Sequence, residues 1–301
     1  MPRGRYAPSP SGPLHLGNLR TALLAWLFAR SADAPFLLRI EDLDPQRSRR
    51  EHEEGQLADL RAIGIDWDGE PVRQSARTNL YKEALELLRS KGMVYPCWCT
   101  RAEIQLAAQA PHGPLAEGAY PGTCRDLSAA GRARREREAG RPPSLRLDAG
   151  AQTVEFEDRL HGTVRGMVDD FLLRRWDGTF AYNLAVVVDD ADQAMGEVVR
   201  GDDLLDSTPR QLLLGSLLGA TAPGYAHVPL VLGPDGRRLA KRHGAVTLAD
   251  RMAVGQGPPQ VLSWMAASVG LAEPGEDVTA NGLIGRFDPR RLPREATLLR
   301  D

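Results

Sequence analysis

The stretch from Arg5 to Trp26, RYAPSPSGPLHLGNLRTALLAW, packs three prolines and two glycines into its first thirteen residues and then takes on helical spacing. Prolines and glycines at this density favour an extended segment and a tight turn over an early helix. The helical pattern reads from Leu19 to Arg30. A strand, a turn and a helix N-terminus together present backbone N–H groups and a positive helix dipole to one spot, which suits an anion such as phosphate. His15 sits at the bend, placed to donate to a phosphate oxygen, and Gly17 lets a ligand approach the backbone closely. A proline-rich loop with an incidental histidine is the competing reading of the same spacing.

Strand and helix signals alternate around this opening. FLLRIEDLD reads as an apolar strand ending in acids, and Pro45 opens a polar connection into a helix that ends near Gly64. Thr78 to Lys91 is amphipathic through Leu80, Ala84, Leu87 and Leu88, with Gly92 just past its end. Such alternation predicts an α/β fold with a parallel, doubly wound sheet. From Tyr95 the texture changes to a cysteine cluster, a Gly/Pro-rich loop, an arginine-rich segment and the β-like runs SLRLD, TVEFED and DFLLRRW. Alternation then returns: AYNLAVVVDDAD is expected to be a buried strand, LLDSTPRQLLLGSLLG a helix capped near Ser207 or Thr208, and HVPLVLG one more strand. The expected organisation is residues 1–94 and 181–235 as two halves of one α/β unit, 95–180 as an insertion, and 236–301 as a basic loop with a helical C-terminal segment.

At 301 residues, with 42% hydrophobic and 26% charged, the composition is that of an ordinary soluble protein. No apolar run spans a bilayer and MPRGRYAPSP lacks a signal-peptide core, so a cytoplasmic enzyme with no membrane partner is expected. A net charge of −2 leaves nucleic-acid binding to local patches. One patch, RARREREAGR, interleaves Glu136 and Glu138 with its arginines and reads best as a solvated helix. Three cysteines, Cys97, Cys99 and Cys124, are an odd number that argues against disulfides and for free thiols or a metal site. His112, Tyr120 and Asp126 are candidates for a fourth ligand, and imidazole, the commoner ligand, favours His112. Thr100 and Glu103 form a capping box that starts a helix after the second cysteine.

APSPSGPLHLGNLR resembles the first signature of the class I aminoacyl-tRNA synthetases, with His15-Leu16-Gly17-Asn18 in its place, and RYAPSPSGPLH is similar to the glutamyl/glutaminyl branch in particular. LRIEDLDPQR (Leu38 to Arg47) and VVRGDDLLDSTPRQ (Val198 to Gln211) look like two further blocks of that branch, in the family's order. The second class I signature is matched loosely by Arg238-Leu239-Ala240-Lys241-Arg242, which keeps the second lysine while arginine and alanine replace the first lysine and the serine. A mobile cationic loop there can neutralise charge as pyrophosphate leaves. The resemblance implies a Rossmann-like class I catalytic domain with a zinc-bearing α+β insertion and a helical C-terminal segment. Its implied ATP-binding positions are Pro8, His15, Gly17, Asn18 and Lys241, of which His15 and Lys241 are catalytic. Glutamate-binding positions are Arg5, Ala7, Ser9, Glu41, Tyr182 and Arg200. A small dianion with an ammonium group needs paired cations and one acid, and those residues supply them. YPGTCR is similar to a zinc site of short relatives in which tyrosine is the fourth ligand, which points to Tyr120 with Cys97, Cys99 and Cys124 holding one structural Zn²⁺.

About sixty residues follow Lys241, too few for an anticodon-binding domain, so none is expected. With the DLLDSTPRQ block and the Cys-x-Cys, this likens the chain to the truncated paralogues of the branch. Those activate L-glutamate with ATP and Mg²⁺ and transfer it to queuosine in the anticodon stem-loop of tRNA(Asp), not to a 3′ end; a monomer is expected. The alternatives are a short synthetase charging a tRNA 3′ end, or a non-catalytic tRNA- or nucleotide-binding paralogue. No general base for the transfer is evident in the sequence.

Overall fold

The computed structural model describes residues 3–108, 119–239, 243–244 and 246–299. Strand β1 (Gly4–Tyr6) enters the Pro/Gly turn, α1 (Leu16–Arg30) follows, and β2 (Phe36–Ile40) returns parallel to β1 with Gly4 opposite Phe36. Helix α1 is mostly apolar, without a single apolar stripe, and almost wholly buried, as suits a helix covered on nearly every side. Each fully buried leucine on it contributes about 2 kcal/mol of hydrophobic stabilisation. After α2 (Arg50–Ala62), the short β3 (Val72–Arg73) adds to β2, again in parallel. On the other flank of β1 the N–H groups of Gly196 and Glu197 donate to the Arg3 carbonyl, which brings β9 (Glu197–Gly201) alongside. β9 pairs in parallel with β10 (Gly224–Val228), and β10 with β6 (Thr153–Asp158). The result is a mixed α/β fold with parallel sheets.

Helix α3 (Thr78–Ser90), ending before Gly92 at φ 71°, leads into an antiparallel sheet. That sheet has the order β4 (Val94–Cys97), β5 (Ser144–Leu147), β8 (Leu172–Arg174). Between β4 and β5 lie α4 (Arg101–Ala108), opened by the Thr100–Glu103 capping box, and α5 (Ala129–Ala139). No residue of α5 is buried, so the arginine-rich middle is a solvated helix as expected. Strand β6 forms a hairpin with β7 (Gly162–Met167) and also joins the parallel sheet through β10.

AYNLAVVVDDAD is not a strand but helix α6 (Tyr182–Asp192). A short apolar run fits a buried helix as well as a buried strand. Here the consecutive Leu184, Ala185, Val186 and Val187 are buried around most of the helix's circumference, and Asp189 and Asp190 are buried against arginines. Helix α7 (Thr208–Leu218) has Pro209 in its first turn, but Ser207 makes no cap bond, its hydroxyl donating to the Leu204 carbonyl instead. HVPLVLG is interrupted at Pro229, between β10 and β11 (Val231–Leu232). The C-terminal segment comprises α8 (Leu248–Ala253), α9 (Pro258–Ala267), α10 (Ala280–Ile284) and β12 (Thr297–Leu298), which pairs with β11. Arg20, 1% exposed on α1, fastens this segment by donating to Ser268 Oγ, Thr297 Oγ1 and the Pro229 carbonyl. No helix among the described residues is long and apolar enough to cross a membrane.

Candidate active site

A cavity of about 670 Å³ opens where the Pro/Gly turn, the start of α1, the ends of β2 and β9, and the first residue of α6 converge. The turn is tied down from outside: Gln56 of α2 donates to the Ser9 and Gly12 carbonyls at 3.0 and 2.7 Å, and the Glu41 N–H donates to the Pro8 carbonyl. His15 is the N-cap of α1. Its Nδ1 accepts from the Asn18 N–H at 3.2 Å while Asn18 Oδ1 accepts from the His15 N–H. An accepting Nδ1 leaves the neutral ring's proton on Nε2. Burial holds the imidazole below its usual range, which favours that neutral form. Gly17 has a packing reason as well, since a Cβ there would lie 3.0 Å from His15 Cε1.

The expected glutamate-binding residues come together in the same cavity: Arg5, Ala7, Ser9, Glu41, Tyr182 and Arg200 all line it, as do Pro8, His15, Gly17 and Asn18. The two arginines are held in different ways. Arg5, 5% exposed, is paired with Asp190 through Nε at 3.2 Å and Nη2 at 3.4 Å. Asp190 also accepts from Arg39 Nη1 at 2.7 Å, and Arg39 Nη2 lies 3.5 Å from Glu41. Despite burial, the Arg39 and Arg5 charges hold the Asp190 carboxyl below the usual range. At Glu41 burial prevails over the same two arginines and pushes the carboxyl up. Arg200 has only neutral partners among the described residues: His227 Nε2, Gln211 Oε1, Thr208 Oγ1, the Tyr182 hydroxyl and the Leu204 carbonyl. Its charge at the cavity wall is therefore not cancelled.

Sequence reasoning missed Arg39, Asp189, Asp190, His227 and Gln56. The adjacent acids closing the apolar run VVVDDAD were the available signal, because a buried acid demands a buried cation. Lys241, with Ala240 and Arg242, lies outside the described residues. On its near side Arg238 and Leu239 line the cavity, and Arg238 pairs with Asp203 at 2.9 Å. On its far side the Val246 carbonyl accepts from the Leu16 N–H at 2.8 Å, next to His15.

A second constellation forms under β4. The sulfurs of Cys97, Cys99 and Cys124 lie within 4.8 Å of one another, with Cys99 and Cys124 at 3.6 Å. Tyr120, 3% exposed, brings its hydroxyl oxygen to 3.4 Å from Cys97 and 3.6 Å from Cys99. Four tetrahedral ligands about 2.3 Å from a zinc ion stand about 3.8 Å apart, so this donor set fits such a cation. Hydrogen bonds from the neighbouring thiols, with Arg146 close by, hold the Cys97 thiol well below its usual range. Arg146 stacks 3.7 Å over the Tyr120 ring and donates Nε to Cys97 Sγ at 3.3 Å. His112 lies outside the described residues, and Asp126 is not part of the described cluster.

The family described as tRNA synthetases class I (E and Q), catalytic domain, matches residues 2–295, and the chain belongs to it. Within that family, the chain is 62% identical to the glutamyl-Q tRNA(Asp) synthetase of Nocardia farcinica, covering 99% of this chain and 93% of that one. It is 51% identical to the protein of the same name from Symbiobacterium thermophilum, over 97% and 94% of the two chains. The crystal structure of a glutamate tRNA ligase from Elizabethkingia meningosepticum in complex with its amino acid superposes with a TM-score of 0.83 at 28% identity. That match takes in 99% of this chain but 66% of the ligase.

Proposed function

We propose that this protein activates L-glutamate with ATP to glutamyl-adenylate and transfers the glutamyl group to the queuosine base at the wobble position of tRNA(Asp). The observation that supports the first step is one cavity that gathers residues suited to both substrates. The N-terminus of α1 with His15, Gly17 and Asn18 lines it together with Arg5, Glu41, Tyr182 and Arg200. The choice of tRNA rests on the full-length similarity to proteins named glutamyl-Q tRNA(Asp) synthetase.

In this reading Arg200, uncompensated, takes the glutamate side-chain carboxylate in a charge-assisted contact, with the Tyr182 hydroxyl beside it. Glu41 accepts from the α-ammonium, and Arg5, Ala7 and Ser9 complete the pocket. Triphosphate lies along Pro8, Gly17 and Asn18 at the helix N-terminus. The α-carboxylate attacks the α-phosphorus of ATP, the bond to the β-phosphate oxygen breaks, and pyrophosphate departs. His15 donates through Nε2–H and Lys241 neutralises departing charge, so catalysis is by position and electrostatics. Mg²⁺ bound with ATP supplies further charge neutralisation. In the second step a hydroxyl of queuosine's cyclopentene ring attacks the glutamyl carbonyl carbon, AMP leaves and the hydroxyl proton is released. Cys97, Cys99, Tyr120 and Cys124 hold one structural Zn²⁺ that staples the insertion, within a Rossmann-like doubly wound architecture. Glutamate-dependent ATP–pyrophosphate exchange without tRNA tests the first step; folded protein that gives no exchange contradicts it.

A further inference from the structure

His227 lies behind Arg200 and belongs to none of the motifs read from the sequence. It is wholly buried on β10, as is its neighbour Asp158 at the end of β6. Asp158 Oδ1 accepts from the Leu160 and His161 N–H groups at 3.0 and 3.1 Å. Oδ2 accepts from the His227 N–H at 3.1 Å and stands 2.6 Å from Nδ1. With three backbone N–H donors around it, Asp158 is an acceptor only, so the Nδ1 position facing it carries the proton. Nε2 is then a lone pair, and Arg200 Nε donates to it at 3.0 Å. Thr208 Oγ1 stands 3.0 Å from the same nitrogen and accepts from Arg200 Nη2 at 2.8 Å.

We infer that His227, its tautomer fixed by Asp158, is a positioning residue that sets Arg200's aim and selects for a carboxylate over an amide in the amino-acid substrate; this rests on the glutamate reading above. The argument is one of charge and aim. A carboxylate in place of the imidazole would neutralise Arg200 and remove the reason to select an anion. An imidazolium would set two N–H donors against each other and repel the guanidinium. Neutral imidazole fixes the guanidinium plane through Nε and leaves the charge to the ligand. The charged and titratable groups facing the ring agree with this: Arg200 from β9 and His161 from the β6–β7 turn oppose protonation, and Asp158 from β6 favours it. From α7 the neutral Thr208 meets the ring, and Tyr225 and Phe156 flank it. Burial adds to the opposing side, and the imidazole sits below its usual range.

The test uses glutamate-dependent ATP–pyrophosphate exchange by the full chain and its variants His227→Leu, His227→Gln and Asp158→Asn. In Asp158→Asn the Leu160 and His161 N–H groups claim the amide oxygen, the His227 N–H keeps only its longer 3.4 Å contact to that oxygen, the NH₂ faces Nδ1, and the tautomer inverts. Losing an acceptor for a charged donor raises KM for glutamate about tenfold or more in His227→Leu and Asp158→Asn. KM for ATP stays within about twofold and the preference for glutamate over glutamine falls; a fold-wide defect would move both KM values together. His227→Gln, whose Oε1 replaces Nε2 as acceptor, returns to within about threefold of the starting chain. An unchanged glutamate KM in folded His227→Leu, or His227→Gln no better than His227→Leu, overturns the inference. If His227→Leu does not fold, the near-isosteric Asp158→Asn decides in the same way. Imidazole ¹⁵N spectra of the unaltered protein from pH 5 to 8 give an independent readout: a neutral ring with hydrogen on Nδ1 is expected, and a protonated or Nε2–H ring overturns it. If the unaltered chain shows no glutamate-dependent exchange, the proposed function fails, and those spectra still decide the tautomer.

Discussion

Arg5 and Asp190 face each other as a two-point ion pair, Nε to Oδ1 at 3.2 Å and Nη2 to Oδ2 at 3.4 Å, with both side chains buried. Asp190 serves Arg39 at the same time. Replacing it by asparagine leaves two buried guanidinium groups short of their counter-charge, a loss of about 3–5 kcal/mol. Urea unfolding of Asp190→Asn measures it. A loss below about 1 kcal/mol would mean that Arg39 and Arg5 find their compensation elsewhere.

Glycines in this chain differ sharply in what a methyl group would do. At Gly17 the new Cβ lies 3.0 Å from His15 Cε1 and 3.4 Å from Val231 Cβ, so the ring must shift. Gly17→Ala should lower the exchange rate by about tenfold to a hundredfold, because reacting groups tolerate little misplacement. Gly55 on α2 has open space around its Cβ, and Gly55→Ala should gain about 0.5–1 kcal/mol at unchanged rate. Equal effects of the two substitutions on the rate would remove His15 from the chemistry.

The cysteine cluster predicts a metal content. Purified protein should carry about one zinc per chain, and Cys124→Ser should lose it together with several degrees of Tm. Elemental analysis with and without chelator decides. Metal-free protein that melts at the same temperature as the metal-loaded form would leave the donor set without a stapling role.

Two imidazoles, His15 half-buried and His227 wholly buried, make stability depend on pH with a definite sign. Burial lowers the His15 and His227 values below the usual 6.5, so near and below that pH the unfolded chain binds more protons than the folded one. Their contribution is full above about pH 6.5 and is lost as pH falls through the folded-state values. The urea midpoint should therefore drop from pH 7 to pH 5, and less steeply in His227→Gln. A midpoint that rises over the same interval contradicts the neutral assignment.

What the sequence made legible followed from residue types whose local chemistry is strong. The Pro/Gly turn, Gly92 after α3 and the Thr100–Glu103 box depend on neighbours in the chain and formed as read, whereas the helix read from Leu19 begins three residues earlier, at Leu16, where His15 caps it. The Arg5, Glu41, Tyr182 and Arg200 set was legible through its motif contexts, and the four meet in one cavity. Helix α6 was misread because valines carry the same apolar signal in either conformation, and packing against α3 and α7 decided between them. Arg39 and His227 were illegible for another reason. Each acts through a partner more than thirty positions away in sequence, such as Asp158 for His227, and no local spacing encodes that.

The central claim, that the glutamyl group goes to queuosine in an anticodon, is tested most directly by transfer of labelled glutamate to purified tRNA(Asp) isolated from cells with and without queuosine. The account predicts label only on the queuosine-containing tRNA(Asp). Equal labelling of both preparations, or labelling of tRNA(Glu) instead, would contradict it.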